Sequence, residues 1–253
     1  MEKIAVDAMG GDFAPLEIVL GSIQAVREFK IPVVLVGDKE QILTILKNNH
    51  EENNPLIEIH HASEVIEMGE HPGLAYRKKK DASVSVGARL VRAKECGALV
   101  APGSTGAAVT AGLLGIGRIK GIERPAILTP IPNEKGRYTY LIDSGASAQP
   151  KVETYVQNAI LGYIYASKVA GIKNPRIGLL NIGEEDTKGS PLVTEANKVL
   201  QNQSIIPFSG NAEGRDIMTG EFDVVVTDGF TGNVVLKFGE GAACQDIAER
   251  RSD

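Results

Sequence analysis

A chain of 253 residues with 43% hydrophobic content is long enough to bury a substantial core, as a single α/β domain or as two closely joined lobes. Its 27 basic and 32 acidic residues leave a formal net charge of −5, which argues against a surface tuned as a whole for nucleic acid or anionic lipid. The two cysteines, Cys96 and Cys244, lie neither in a CxxC pair nor near a spaced histidine, so neither a disulfide framework nor a zinc site is suggested, and a reducing, cytoplasmic compartment fits.

The opening "MEKIAVDAMGG" lacks a basic segment followed by an apolar stretch and a cleavage site, so no signal peptide is expected. Ile4 to Val6 reads as the first strand. Leu16, Val19, Leu20, Ile23 and Val26 then recur at helical spacing, with Pro15 suited to the first turn and Asp12 as a candidate cap. Val33 to Val36 is the second strand, closed by Gly37. The segment between His50 and Lys80 is more polar, and is expected to hold a hairpin or a short helix instead of continuing the alternation. Further strands are expected at Ala98 to Val100, Tyr138 to Ile142, Ile177 to Leu180 and Asp223 to Val226, most of them separated by helical stretches. From Lys151 to Ala170 the residues Val152, Tyr155, Val156, Ala159, Ile160 and Tyr163 form one apolar stripe, and Gly171 ends that helix. The alternation predicts an α/β fold, a mainly parallel sheet covered by helices. The apolar window from 98 to 117 is broken by a proline and repeated glycines, which argues against a transmembrane helix.

In such a sheet, ligands bind beyond the carboxyl ends of the strands. Five predicted strand ends carry loops rich in small and hydrogen-bonding residues: "DAMGGD" from 7, "APGSTG" from 101, "DSGASAQPK" from 143, "NIGEEDTKG" from 181 and "TDGFTGN" from 227. Glycine lets amides approach a ligand, while Ser, Thr and Asn add neutral donors, a combination suited to an anion such as phosphate. The alternative is that tight turns select the same residues. The candidate phosphate ligands in these loops are Asp7, Gly10, Gly11, Ser104, Thr105, Gly106, Asp143, Asn181, Asp228, Thr231 and Gly232. "GSTGAAV" at 103 and "GFTGNVV" at 229 echo one another, either as two pieces of backbone with one job or as a reused turn. Lys188, in "EEDTKGS", is the candidate charged contact, against a surface lysine paired with Glu184 or Glu185. Asn233 is suited to a developing oxyanion, or to capping the following helix.

Several machineries are set aside. "GLLGIGRIKG" at 112 falls late in a helix with the wrong spacing for a dinucleotide loop and reads as helix packing. There is no GxSxG elbow, and His50, His60, His61 and His71 make no HExxH pattern. The run Arg77, Lys78, Lys79 and Lys80 is an exposed face or a dock for an acidic partner.

Together, "AVDAMGGDFAP" (5 to 15), "RKKKDAS" (77 to 83), "GRIKGIERPAI" (117 to 127), "NPRIGLLNIGEEDTKG" (174 to 189), "GNAEGRDI" (210 to 217) and "DVVVTDGFTGNVVLK" (223 to 237) resemble, in order, the phosphate acyltransferases of bacterial phospholipid synthesis. The resemblance covers nearly the whole chain. It implies a three-layer α/β/α fold related to isopropylmalate dehydrogenases and phosphotransacetylases, with no metal or organic cofactor. It also implies transfer of a fatty acyl group from acyl carrier protein to inorganic phosphate, a homodimer, and loose membrane contact where acyl phosphate passes to a glycerol-3-phosphate acyltransferase. The mechanism expected for that reaction gives Lys188 the charge of phosphate and Asn233, or a nearby backbone amide, the thioester oxygen, while Arg77, Lys78 and Lys79 meet the carrier protein or its phosphopantetheine. The related readings are a phosphotransacetylase-like enzyme using acyl-coenzyme A, a decarboxylating dehydrogenase, and a non-catalytic carrier-binding homologue.

The chain departs from the family pattern at Ser104, where Asn is usual, at Ser147, again in place of Asn, and at Gln149, in place of an acidic residue, while Lys151 and Glu153 match. Family members also continue well past "GFTGNVVLKFGEG", so a C-terminally truncated form is expected from the end "AACQDIAERRSD".

Overall fold

The computed structural model describes residues 2–250, with side chains through Cys244. The chain divides into two compact units, Met1–Gly121 and Ile122–Asp253. In the first, strands β1 (Ile4–Asp7), β2 (Val33–Gly37), β3 (Ile57–His61) and β4 (Ala98–Val100) form a four-stranded sheet in the order β3-β2-β1-β4, every pairing parallel. Its helices are α1 (Leu16–Phe29), α2 (Lys39–Asn48), α3 (Pro72–Lys78), α4 (Ser83–Arg92) and α5 (Thr105–Thr110), which runs on as a π-helical segment, Ala111–Ile116.

Strand alternation explains why β1 and β2 read as unbroken apolar runs. Val6, Val33 and Leu35 pack with Val19, Ile23 and Val26 of α1, whereas Ala5, Val34 and Val36 pack on the opposite face with Val86 and Leu90 of α4. Both faces are covered, so Ile4 to Val6 and Val33 to Val36 are all apolar. The segment from 50 to 80 holds the expected short helix, α3, but β3 and not a hairpin, so the parallel alternation continues there. On this edge strand Ile57 and Ile59 are half-buried while Glu58, His60 and His61 are exposed, which is why the stretch reads as polar. Asp12 does not cap α1; Pro15 occupies the N-cap position and no side chain bonds to that end. The glycines late in the 105–116 helix serve packing, since a Cβ on Gly115 would come within 2.6 Å of the Ala88 Cβ.

The second unit holds β5 (Leu128–Pro132), β6 (Tyr138–Ile142), β7 (Ile177–Asn181), β8 (Phe208–Glu213) and β9 (Val224–Val226), in the order β5-β6-β9-β7-β8. Only β5 is antiparallel. The helices are α6 (Val152–Lys168), α7 (Pro191–Gln201), α8 (Asp216–Thr219) and α9 (Gly229–Arg250); residues 251–253 of the end discussed above lie outside the described residues. Tyr155, Ala159 and Ala166 of α6 pack on Ile142, Ile177, Leu179, Val224 and Val226, while Leu141, Ala212, Ile217, Phe222 and Val225 fill the other face. β5 carries Pro130 and Pro132, which are tolerated because it is an edge strand. Among the described residues no helix is long and apolar enough to cross a membrane.

Candidate active site

Because β6, β9 and β7 are neighbours and parallel, the loops that leave their carboxyl ends meet along one edge of the second unit's sheet. The loop after β6 folds around the buried carboxylate of Asp143. Its Oδ1 accepts from the N–H groups of Ile127 (3.1 Å), Gly145 (3.1 Å) and Ala146 (2.8 Å), and Oδ2 accepts from Ser147 N–H (2.8 Å). A negative charge is thus held by four backbone dipoles. The Ser147 hydroxyl is buried without a hydrogen-bond partner among the described residues.

The loop after β9 is built on Asp228, which closes the start of α9. Its Oδ1 accepts from Phe230 N–H (2.9 Å) and Thr231 N–H (2.8 Å), and its Oδ2 accepts from the Thr231 hydroxyl (2.7 Å). Gly229 N–H donates to the Ser147 carbonyl and Gly232 N–H to the Asp228 carbonyl. The first-turn amides of α9, where an anion would ordinarily sit, are therefore already engaged by the protein's own carboxylate and carbonyls. Asp228, Thr231 and Gly232 spend their hydrogen bonds on this turn, and Asn233 is not the cap; Asp228 is. The glycines allow the close fit: a Cβ on Gly229 would stand 2.7 Å from Ser147 N, and one on Gly232 would collide with the Asp143 carbonyl oxygen. Tyr155 of α6 reaches the same point. Its phenol is pushed well above the ordinary range by burial and by the neighbouring Asp228 carboxylate.

Asn233 lies one turn into α9 beside Gly145: a Cβ on that glycine would be 3.9 Å from Asn233 Oδ1. Its side-chain amide is half-buried and makes no hydrogen bond among the described residues, so it is free to receive or donate to a ligand.

After β7 the chain forms a tied turn. Asn181 Nδ2 (2.9 Å) and Thr194 Oγ1 (3.2 Å) both donate to the Lys188 carbonyl, Lys188 N–H donates to the Glu185 carbonyl (3.0 Å), and Gln201 Nε2 donates to Asp186 Oδ1 (2.8 Å). Gly189, at φ +97°, allows Asn181 this reach, because its Cβ would lie 2.5 Å from Asn181 Oδ1. The Lys188 stem runs alongside Gly183, and its exposed ammonium pairs with no carboxylate among the described residues, Glu184 and Glu185 included.

In the first unit the loops after β1 and β4 pack backbone against backbone: a Cβ on Gly10 would meet Gly103 N at 2.8 Å, and one on Gly11, at φ +98°, would meet the Pro102 carbonyl at 3.2 Å. Ser104 sits at the N-cap of α5 but its side chain makes no capping bond, in contrast with Asp228 at the start of α9. The amides of Thr105 and Gly106 are left without the carboxylate partner that closes α9. Gly106 lies against Pro72, whose Cγ would be 2.5 Å from an added Cβ.

Asp7 is buried at the end of β1. Burial pushes its carboxyl above the usual range, against the opposing pull of the Ser83 hydroxyl and the Met9 and Gly10 N–H groups. The group binds its proton more tightly in the folded state, so its stabilising contribution is full below pH 3.8 and is lost as pH rises through the raised value. We expect Asp7→Asn to gain stability relative to the native chain as pH rises from about 4 to 8, read as the difference between urea midpoints. A difference that shrinks over that range contradicts the assignment.

Within the basic run, Arg77 and Lys78 in the last turn of α3 are exposed, and the Lys80 ammonium stands 6.0 Å from the Tyr76 ring centre. Lys79 differs. It is bound to Glu70 (2.5 Å) and to the Val65 carbonyl (2.7 Å), which commits it to the segment ahead of α3.

Sequence reasoning missed Ser83, Tyr155 in its polar role, Thr194, Asn197 and Asn211. A signal existed for the last two: asparagines inside otherwise core-facing segments of a helix and a strand.

The architecture has counterparts among solved structures. A phosphotransacetylase from Streptococcus pyogenes aligns with a TM-score of 0.69 at 15% identity, over 96% of this chain and 82% of that one. A branched-chain phosphotransacylase from Enterococcus faecalis aligns at 0.62 and 18% identity, over 94% and 83%. These define the fold, a mixed α/β arrangement shared with phosphotransacylases. In sequence, the family described as "Fatty acid synthesis protein" matches residues 2–248. The phosphate acyltransferase of Pelotomaculum thermopropionicum is 52% identical over 241 residues, 95% of this chain and 69% of that protein; that of Heliobacterium modesticaldum is 52% identical over 239 residues, 94% and 71%. The chain belongs to the phosphate acyltransferase family.

Proposed function

We propose that the protein transfers a fatty acyl group from acyl carrier protein to inorganic phosphate, giving acyl phosphate for phospholipid synthesis. The observation that carries this reading is Lys188: an ammonium without a carboxylate partner among the described residues, on a turn whose backbone is tied to β7 and α7. Phosphate is already a nucleophile and a thioester is already activated, so positioning and charge stabilisation are the main requirements. Lys188 offsets the charge of phosphate. A phosphate oxygen attacks the thioester carbon, Asn233 donates to the developing oxyanion, and the tetrahedral adduct collapses with C–S cleavage. The pantetheine thiolate leaves and takes up a proton from solvent or from the phosphate. Asn181 holds the Lys188 turn, and Asp143, Asp228, Thr231 and Gly232 shape the floor beneath Asn233. In the first unit we assign an anion preference to Ser104, Thr105 and Gly106, whose donors lack the internal carboxylate found at α9, with Asp7, Gly10 and Gly11 bracing that loop.

Arg77 and Lys78 supply the carrier-protein contact, with Lys79 holding the helix they stand on. Arg77→Glu with Lys78→Glu is expected to lower kcat/KM for an acyl-carrier donor about tenfold at low salt, with a smaller loss at high salt. Equal loss at every ionic strength counts against docking there.

The same reading puts the protein in the cytoplasm as a homodimer that contacts the membrane peripherally and delivers acyl phosphate to a glycerol-3-phosphate acyltransferase. Phe230, Val234 and Phe238, exposed at four-residue spacing along α9, support contact with an apolar surface. Phosphate-dependent thioester consumption, compared between acyl-carrier and acyl-coenzyme A donors, tests the whole. Preference for coenzyme A favours a phosphotransacetylase-like activity, and carrier binding without consumption favours a non-catalytic homologue.

A further inference from the structure

The motif from Gly210 to Ile217 contains Asn211, 6% exposed on β8, which faces the fully buried Asn197 of α7. Two amides in such surroundings are costly unless they are hydrogen-bonded. Asn197 Nδ2 donates to Asn211 Oδ1 at 2.8 Å, and Asn211 Nδ2 donates to the Glu185 carbonyl at 2.9 Å. That carbonyl is the one that accepts the Lys188 N–H at 3.0 Å.

The direction of this relay follows from its end. A carbonyl only accepts, so Asn211 must turn its NH2 to Glu185 and its oxygen to Asn197, which must then present its own NH2. Asn197 Oδ1 is left buried without a partner among the described residues, so the arrangement carries a cost that two apolar side chains of like volume would avoid. Arg215, from the same motif, pairs with Glu213 of β8 at 2.9 Å.

We infer that the Asn197–Asn211 pair is a positioning device for Lys188, setting phosphate affinity through the Glu185–Lys188 turn without touching substrate. This rests on the reading of Lys188 as the phosphate-binding cation. The pair reaches Lys188 through its backbone, not its side chain, so its loss displaces the ammonium without removing it. The expected signature is weakened phosphate binding with the chemical step largely retained.

The isosteric variants Asn211→Asp and Asn197→Asp replace a donor with an oxygen at each link of the relay. In the full chain, each is expected to raise KM for inorganic phosphate about tenfold, with kcat within about threefold and KM for the acyl donor unchanged. Hydrogen exchange at the Lys188 amide should quicken in the same variants. Asn211→Ser, which retains a hydroxyl donor in a smaller side chain, carries the same prediction at reduced size should the acidic variants not fold. A folded Asn211 variant with phosphate KM within about twofold of the native value overturns the inference, as does an equal rise in KM for both substrates. Lys188→Ala assayed alongside separates the two ideas. If it loses turnover while the asparagine variants keep native phosphate KM, only the relay falls; if it turns over normally, the phosphate reading falls and takes the relay with it.

Discussion

Lys188→Ala is expected to lower phosphate-dependent thioester consumption about a hundredfold, the usual scale for removing one preorganised group that stabilises charge in the transition state. The fold should not suffer. The side chain is exposed, its ammonium has no carboxylate partner among the described residues, and the bonds that tie its turn use the backbone of residue 188 or groups of other residues, all of which alanine keeps. Surface truncations of this kind ordinarily change stability by no more than about 0.5 kcal/mol. Steady-state kinetics in phosphate, with a urea midpoint as control, gives the reading. Lys188→Arg, which keeps the charge but spreads it over a wider planar group, should retain more activity than alanine. Near-native turnover of Lys188→Ala removes it from the mechanism.

The second large effect is structural. Asp143→Ala strips the acceptor from the N–H groups of Ile127, Gly145, Ala146 and Ser147 at a position only 1% exposed, where water is a poor substitute. Hydrogen bonds to a charged group contribute more than neutral ones, and orphaned buried donors carry the full desolvation cost, so a loss on the order of 4 kcal/mol is expected. The damage should spread to the start of α9, because Gly229 N–H is bound to the Ser147 carbonyl. Urea denaturation measures the loss, and hydrogen exchange at Gly229 reports its spread. A variant within about 1 kcal/mol of the native chain would mean that the four-amide nest is not what orders this loop.

The parts of the fold legible in the sequence are those where burial imposes one period. The stripe of α6, Ile4 to Val6 of β1, β2 and β9 each follow from apolar packing on a covered face. The strands that escaped have other demands on them. β3 is an edge with alternating polar positions, β5 carries prolines that an edge tolerates, and β8 contains Gly210 and Asn211, chosen for backbone freedom and for a buried hydrogen bond instead of apolar packing.

The candidate site was legible to a similar depth. Glycine, aspartate and asparagine mark the loops that the structure places at the carboxyl ends of β1, β4, β6, β7 and β9, because close backbone approach leaves no alternative to glycine at positions such as Gly232. Which group satisfies which was not legible. Asp228 and Asn233 both look like caps in one dimension, and only the bonds from Phe230 and Thr231 assign that role to the aspartate. Tyr155 reads as one more apolar residue of a helical stripe until its hydroxyl is found beside Asp228. Hydrogen-bond partnership depends on residues far apart in the chain, and composition carries no record of it.

The most direct measurement is incubation of the protein with long-chain acyl-acyl carrier protein, with and without inorganic phosphate, and capture of the product by hydroxylamine. Acyl hydroxamate that forms in step with thioester loss, and only when phosphate is present, is the predicted result. Thioester loss that proceeds equally without phosphate, or carrier binding with no hydroxamate at any phosphate concentration, would contradict it.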